Sequence, residues 1–79
     1  MRLDKYLKVS RLIKRRTVAN EACDAGRVSV NGKPARASYD VKISDKLTIA
    51  LGMREVTVEV VAVQETVAKN DAALLYKLL

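Results

Sequence analysis

Histidine, tryptophan and phenylalanine are absent from this sequence, and cysteine occurs once. Without histidine the chain lacks the commonest general base and metal ligand near neutral pH. The lone thiol, Cys23, cannot close an intramolecular disulfide or, without histidine, complete a structural zinc site. No histidine could activate it as a nucleophile either, so it reads as a small core residue. Three tyrosines are the only aromatics, so the core must be built from Val, Leu, Ile and Ala. No apolar run approaches the roughly 18 residues that a membrane span needs. The N-terminus is charged from its second residue and has no apolar stretch of a secretory signal. These absences predict a cytoplasmic protein with no cofactor, no metal, no membrane span and no catalytic constellation.

What is present fits one domain over residues 1–79, with a core over about 1–63 and a connector and terminal helix over 64–79. Hydrophobic residues make up 49% and charged residues 30% of the chain, a globular balance that argues against disorder. The charge is unevenly placed. Residues 1–16 (MRLDKYLKVSRLIKRR) hold Arg2, Lys5, Lys8, Arg11, Lys14, Arg15 and Arg16 against one acid, Asp4. Residues 17–79 hold eight groups of each sign, so the whole net charge of +6 lies in the first fifth of the chain. A solvated mixed surface would not separate charge in this way, and a concentrated basic element usually faces a polyanion.

Hydrophobic spacing predicts a helix over 3–10, with Leu3, Tyr6, Leu7 and Ser10 on one face and Arg2, Lys5, Lys8 and Arg11 on the opposite half. Leu12 and Ile13 follow as core residues, then Lys14-Arg15-Arg16 as a basic connector. Thr17 is the expected N-cap of a second helix over 18–25, with Val18, Ala22 and Ala25 on one side, Ala19 and Cys23 beside them, and Gly26 as its left-handed stop. From residue 27 the period becomes two. Val28 and Val30 lead into Asn31-Gly32, the strongest local hairpin signal, and Pro34 confines the return strand to an edge. Tyr39, Val41 and Ile43 alternate next, followed by a Ser44-Asp45 turn. A strand over 46–51 is expected to point Leu47, Ile49 and Leu51 inward. Gly52 breaks it, and a long strand covers 54–63 with Val56, Val58, Val60 and Ala62 on one face. A helix capped by Asp71 is expected over 71–79. The sum is an α+β fold: two N-terminal helices on a small curled antiparallel sheet, with a short C-terminal helix.

Four of the seven clustered cations are arginine, whose planar head grips phosphate in a bidentate way. If helices 1 and 2 formed a DNA-reading pair, helix 2 would enter the major groove. It carries Glu21 and Asp24 and no basic residue, so major-groove reading is disfavoured. Scarce aromatics disfavour a stacking platform for single strands. Structured RNA, read by shape and backbone, fits best. A membrane surface or an acidic protein is the alternative target of a basic amphipathic helix. Asn31 and Lys33, at the hairpin tip, are further candidate RNA contacts. Asp4 is expected to cap helix 1 or orient an arginine. Tyr6, Tyr39 and Tyr76 are expected at the core edge, with Tyr39 or Tyr76 within reach of a base.

The run MRLDKYLKVSRLIKRR, then TVANEACDAGRVSVNGKPA, then SYDVKISDKLTI closely resembles the S4 RNA-binding domain family. Its pattern is R-x-D-x-x-L, a following arginine, a basic pair, a helix, a glycine and a V-x-V-N-G-K hairpin. The resemblance covers roughly residues 1–52, and no enzyme is attached. Over its whole length the chain is most similar to the small free-standing S4 proteins of bacterial ribosome-associated quality control. That likeness implies a non-enzymatic adaptor, a monomer in isolation, on the large ribosomal subunit. It would bridge ribosomal RNA and peptidyl-tRNA and support tailing of the stalled peptide by an RqcH-type factor. A heat-shock-type S4 protein that recycles blocked large subunits is the neighbouring possibility. Carried across, Arg2 and Arg16 are the positions expected to matter most, Arg11 and Arg15 are the other motif arginines, and Lys5, Lys8 and Lys14 support them.

Overall fold

In the computed structural model, which describes residues 1–79, helix α1 covers Leu3–Val9. Its stripe follows the helical period: Leu3, Tyr6 and Leu7 have no exposed surface. Ser10 closes the helix, buried, with its hydroxyl donating to the Leu7 carbonyl at 3.3 Å. Arg11 then takes a left-handed φ of 63°. That conformation is unfavourable for a residue with a β-carbon, and it reverses the chain so that Ile13 returns to the core. Leu12 is only half-buried.

Helix α2 spans Arg16–Asp24 and so begins before the expected Thr17 cap. Arg15 holds the N-cap position and makes no side-chain capping bond. Thr17 is exposed within the first turn. What fixes the helix start is the anchoring of Arg16 and Asn20, one turn apart, on Asp4 of α1. This carboxylate lies against the first turn, where the helix dipole favours negative charge. The same anchoring sets the helix rotation: Ala19 and Cys23 form the buried stripe, Ala22 is half-buried, and Val18 and Ala25 are exposed, contrary to expectation. Small residues on that stripe let the helices approach closely.

Five strands, β1 (Val28–Val30), β2 (Lys33–Pro34), β3 (Lys46–Leu51), β4 (Arg54–Val60) and β5 (Tyr76–Leu78), form one antiparallel sheet in the order β2-β1-β3-β4-β5. Asn31 and Gly32 have φ of 52° and 86°, the pair of positive values that a two-residue type I′ hairpin needs. Pairing aligns Val30 with Leu47 and Leu47 with Val58, and a second row aligns Val28 with Ile49. These rows make the core face under the helices. Leu51 shares their parity but pairs with Arg54 at the hairpin end, beyond the helices, and is 37% exposed.

Three further expectations are corrected. Tyr39, Val41 and Ile43 form no strand, because this segment bonds to the N-terminus: the Leu3 amide donates to the Tyr39 carbonyl and the Val41 amide to the Met1 carbonyl. Ser44, at φ 78°, then turns the chain and leaves Ile43 exposed. Strand β4 stops at Val60 instead of Val63, since the Val61 and Ala62 amides both turn to the Leu75 carbonyl. The expected C-terminal helix is present but displaced and tighter, a 3₁₀ helix over Lys69–Leu75 preceded by Ala68 at its N-cap. Its three-residue period buries Ala72 and Leu75 together. Residues 76–78 leave the helix because the open edge of β4 offers them a ladder: Val58 pairs with Leu78 and Val60 with Tyr76. The buried Tyr6 hydroxyl donates to the Leu75 carbonyl at 2.7 Å and ties this segment to α1.

Candidate nucleic-acid interface

The interface is organised by a buried acid. Asp4 has only 3% of its side chain exposed. It accepts from the Lys5 amide at 2.8 Å, Asn20 Nδ2 at 3.2 Å, Arg2 Nε at 3.2 Å and Arg16 Nη2 at 3.5 Å, and the Arg16 Nε forms an ion pair with it at 3.4 Å. Burial alone would raise its pKa. The bonds from Asn20, Arg2 and Arg16, with the Arg16 charge, outweigh burial and hold the carboxyl below its ordinary value. Asp4 therefore stays ionised and orients two arginines, as the sequence suggested for one.

Arg2 precedes α1 and Arg16 opens α2, and side by side on Asp4 they remain 51% and 48% exposed. Each guanidinium has more donors than Asp4 takes, and the outward ones are free for phosphate. The pair is thus held in place before any ligand arrives, which lowers the ordering cost of binding.

The other cations are less constrained. Lys5 is paired with Glu65, whose carboxyl that ion pair lowers. Lys8 and Arg11 line a shallow hollow of about 150 Å³ with Glu65, Thr66 and Val67. Lys14 and Arg15 are exposed on the connector between the helices. Lys8, Arg11, Lys14 and Arg15 make no ion pair within the chain.

Asn31 and Lys33 differ in kind. The Asn31 amide donates to Asp45 at 3.1 Å, and its oxygen accepts from the Lys46 amide at 3.0 Å. Its side chain is engaged in holding the hairpin, whereas Lys33 is exposed and unbonded. Asp45 is a second buried acid, which also accepts from the Tyr39 hydroxyl at 2.8 Å and the Lys42 amide at 3.0 Å. Burial pushes its pKa up, but the Lys42 amide, Tyr39 and Asn31 bring it below the ordinary value. Beside the hairpin lies an open groove of about 600 Å³ lined by Val30, Asn31, Lys33, Pro34, Ala35, Arg36, Ser38 and Tyr39.

Sequence reading did not single out Asn20 as a partner of Asp4, or Arg36 and Ser38 as groove residues. Asn20 lies one turn after Arg16 (i, i+4), which was the available signal. Arg36 sits in a segment without periodicity and gave none. The terminal ammonium of Met1, the chain neighbour of Arg2, bonds to Asp40 at 2.6 Å.

A family model described as S4 domain matches residues 1–47. A Bacillus subtilis protein named RQC P-site tRNA stabilizing factor is 56% identical over all 79 residues, which cover 92% of that protein. A protein of the same name from Halalkalibacterium halodurans is 57% identical over 77 residues, 98% of this chain and 88% of that one. Among solved structures, trimeric heat shock protein 15 of Vibrio cholerae superposes with a TM-score of 0.93 at 30% identity, over 100% of this chain and 81% of that chain.

Proposed function

Because the chain belongs to the S4 domain family, we propose that it is a non-enzymatic RNA-binding adaptor of the large ribosomal subunit in ribosome-associated quality control. In this reading it bridges ribosomal RNA and peptidyl-tRNA. It thereby supports C-terminal tailing of a stalled chain by an RqcH-type factor. It acts in the cytoplasm and is a monomer in isolation. The observation that carries the proposal is the Arg2–Asp4–Arg16 cluster, which presents two pre-oriented guanidiniums at the junction of α1 and α2. High identity over nearly the whole length of relatives named for P-site tRNA stabilisation supports the choice of tRNA and subunit.

In this reading Arg2 and Arg16 grip phosphates directly. Arg11 and Arg15 extend the surface, and Lys5, Lys8, Lys14 and Lys33 add looser point charges. Asn31 serves by fixing the hairpin that carries Lys33. Likeness to heat shock protein 15 favours, as a second reading, recycling of blocked large subunits.

The test is sedimentation of the tagged chain from a bacterial lysate beside Arg16→Ala. Co-migration with large subunits carrying tRNA, lost in the variant, is the expected result. Co-migration with subunits lacking the tailing factor would favour recycling. A protein that stays at the top of the gradient at low salt would refute the ribosomal reading, and anionic vesicles would then be the probe. On purified RNA, Arg16→Ala should reduce the slope of log affinity against log salt by about one unit.

A further inference from the structure

We propose that the groove between the β1–β2 hairpin and the 36–39 segment is a separate site for one unpaired nucleotide, with its phosphate on Lys33 and Arg36 and its base against the Tyr39 ring. The proposal rests on the RNA reading above, which uses Lys33 only as a loose point charge, and extends it to Arg36, Ser38 and Tyr39.

Four features define the ligand. The groove, about 600 Å³, falls within the range of small-molecule sites and accommodates a nucleotide. Val30, Pro34 and Ala35 give it an apolar wall, which a flat base can cover. The two cations in its lining, Lys33 and Arg36, are exposed, and neither they nor Ser38 makes a side-chain hydrogen bond or ion pair in the chain. The Ser38 hydroxyl is available to a sugar or a base edge. Tyr39 is the only aromatic residue of the lining, and its hydroxyl is fixed on Asp45. That bond restrains the ring, and stacking on it is open to every base. The Lys42 ammonium lies over the ring, 5.9 Å from its centroid, so a base would meet Tyr39 from the groove side, which Lys42 does not line. An acidic peptide could use the two cations, but it would leave the aromatic face and the apolar wall without a matching planar group.

The segment that forms one wall of the groove is bonded to the segment that carries Arg2. Arg2 bridges to Asp40 in the backbone, and the Leu3 amide donates to the Tyr39 carbonyl at 2.8 Å. A strand of RNA held by Arg2 can thus place a neighbouring unpaired nucleotide beside Tyr39.

The test uses the full chain, isotope-labelled for NMR and titrated with adenosine 5′-monophosphate, ribose 5-phosphate, inorganic phosphate and a hexaglutamate peptide. The nucleotide should shift the amides of Val30, Arg36 and Ser38 and the Tyr39 ring protons. It should bind at least about fivefold tighter than ribose 5-phosphate, the lower end of stacking on an aromatic side chain. Arg36→Ala, at an exposed residue without side-chain bonds, should weaken nucleotide binding about tenfold. Tyr39→Leu should remove the preference over ribose 5-phosphate. If Tyr39→Leu unfolds through loss of the Asp45 bond, Arg36→Ala alone decides. Equal binding of phosphate and nucleotide would overturn the proposal in favour of a simple anion site. Tighter binding of the peptide at the same amides would overturn it in favour of a protein partner, and no shifts would remove the site. Titration by the nucleotide in a chain that fails to sediment with large subunits would sustain the groove and refute the ribosomal reading. Sedimentation without titration would do the reverse.

Discussion

Asp4→Asn separates charge from pre-organisation, because the two predict opposite signs for RNA affinity. Removing the acid makes the basic end of the chain more positive, so net charge alone predicts tighter binding to a polyanion. If the carboxylate serves to position Arg2 and Arg16, affinity must fall instead. Stability bounds the effect. Both arginine heads are about half exposed and are solvated by water when released, so their ion pairs contribute only a few tenths of a kcal/mol. The buried contacts weigh more: the Lys5 amide at 2.8 Å and Asn20 Nδ2 at 3.2 Å donate to opposite oxygens of Asp4. Asparagine retains one acceptor oxygen and brings a donor to the other position, so one such bond is lost and a donor faces a donor. A hydrogen bond to a charged group is worth about 1.5–3 kcal/mol, which sets the loss near 2 kcal/mol. For a domain of this size that lowers Tm by roughly 8–16 °C. Asn20→Ala removes one donor and leaves the carboxylate, so it should cost about 1 kcal/mol. Arg16→Ala should hardly move Tm while weakening RNA binding.

Circular dichroism melts give the stability change and RNA titrations at several salt concentrations the affinity change, the titrations at a temperature well below the Asp4→Asn midpoint. The decisive result is affinity for RNA at fixed low salt. Tighter binding by Asp4→Asn would show that its charge outweighs any positioning of the arginines, and a Tm within about 2 °C of the parent would show that the Lys5 and Asn20 bonds to this acid are not worth the energy assigned to them.

Other outcomes follow from the same contacts. Tyr6→Phe should cost only about 1 kcal/mol, because the Leu75 carbonyl keeps the Val61 and Ala62 amides as donors; thermal melts check this, and a loss above about 3 kcal/mol would mean that the hydroxyl does more. Asn31→Ala should destabilise by about 1–2 kcal/mol through loss of the Asp45 and Lys46 bonds and of a residue tolerant of φ 52°, leaving the salt slope of RNA binding unchanged. Cys23 is buried, and burial first, then Asp4 and Asp24, push its pKa up to about 11. Alkylation followed by mass spectrometry should therefore be negligible at pH 7.5 in the folded chain and rapid in denaturant; rapid native modification would contradict the packing. Asp4 and Asp45 both titrate below their ordinary values in the fold, so the stability they confer is complete above about pH 4 and is lost as pH falls through their lowered folded values. With no histidine in the chain, urea midpoints should be flat from pH 5 to 8 and drop below pH 4.

Where hydrophobic period and turn chemistry agreed, the sequence was a sufficient guide. Leu3, Tyr6 and Leu7 lie on one buried stripe, Asn31-Gly32 makes the turn, and β3 begins and ends at Lys46 and Leu51. Misreadings occurred where a long-range partner decides. The composition of residues 71–79 suits a helix, yet the unpaired edge of β4 takes Tyr76–Leu78 into the sheet, a tertiary preference that local propensity does not record. The start of α2 was misread for a similar reason: a hydroxyl cap at Thr17 is a local signal, whereas the contacts that fix Arg16 and Asn20 come from Asp4 on another helix.

The candidate site follows the same division. Charge concentrated in residues 1–16 was legible because charge is a property of composition. Which cations are pre-oriented was not, because that depends on a buried acceptor. Of the seven clustered cations only Arg2 and Arg16 are locked on Asp4; Lys5 pairs with an exposed acid and the remaining four have no ion-pair partner. The same cations without Asp4 would attract a polyanion somewhat more strongly at long range. Both guanidiniums would then have to be ordered on contact, at roughly 0.5–1.5 kcal/mol for each side chain immobilised. The single acid in the basic block therefore has two opposed effects, a lower net charge that weakens attraction and a lower ordering cost that strengthens binding, and the sign of the Asp4→Asn effect on affinity measures which of the two is larger.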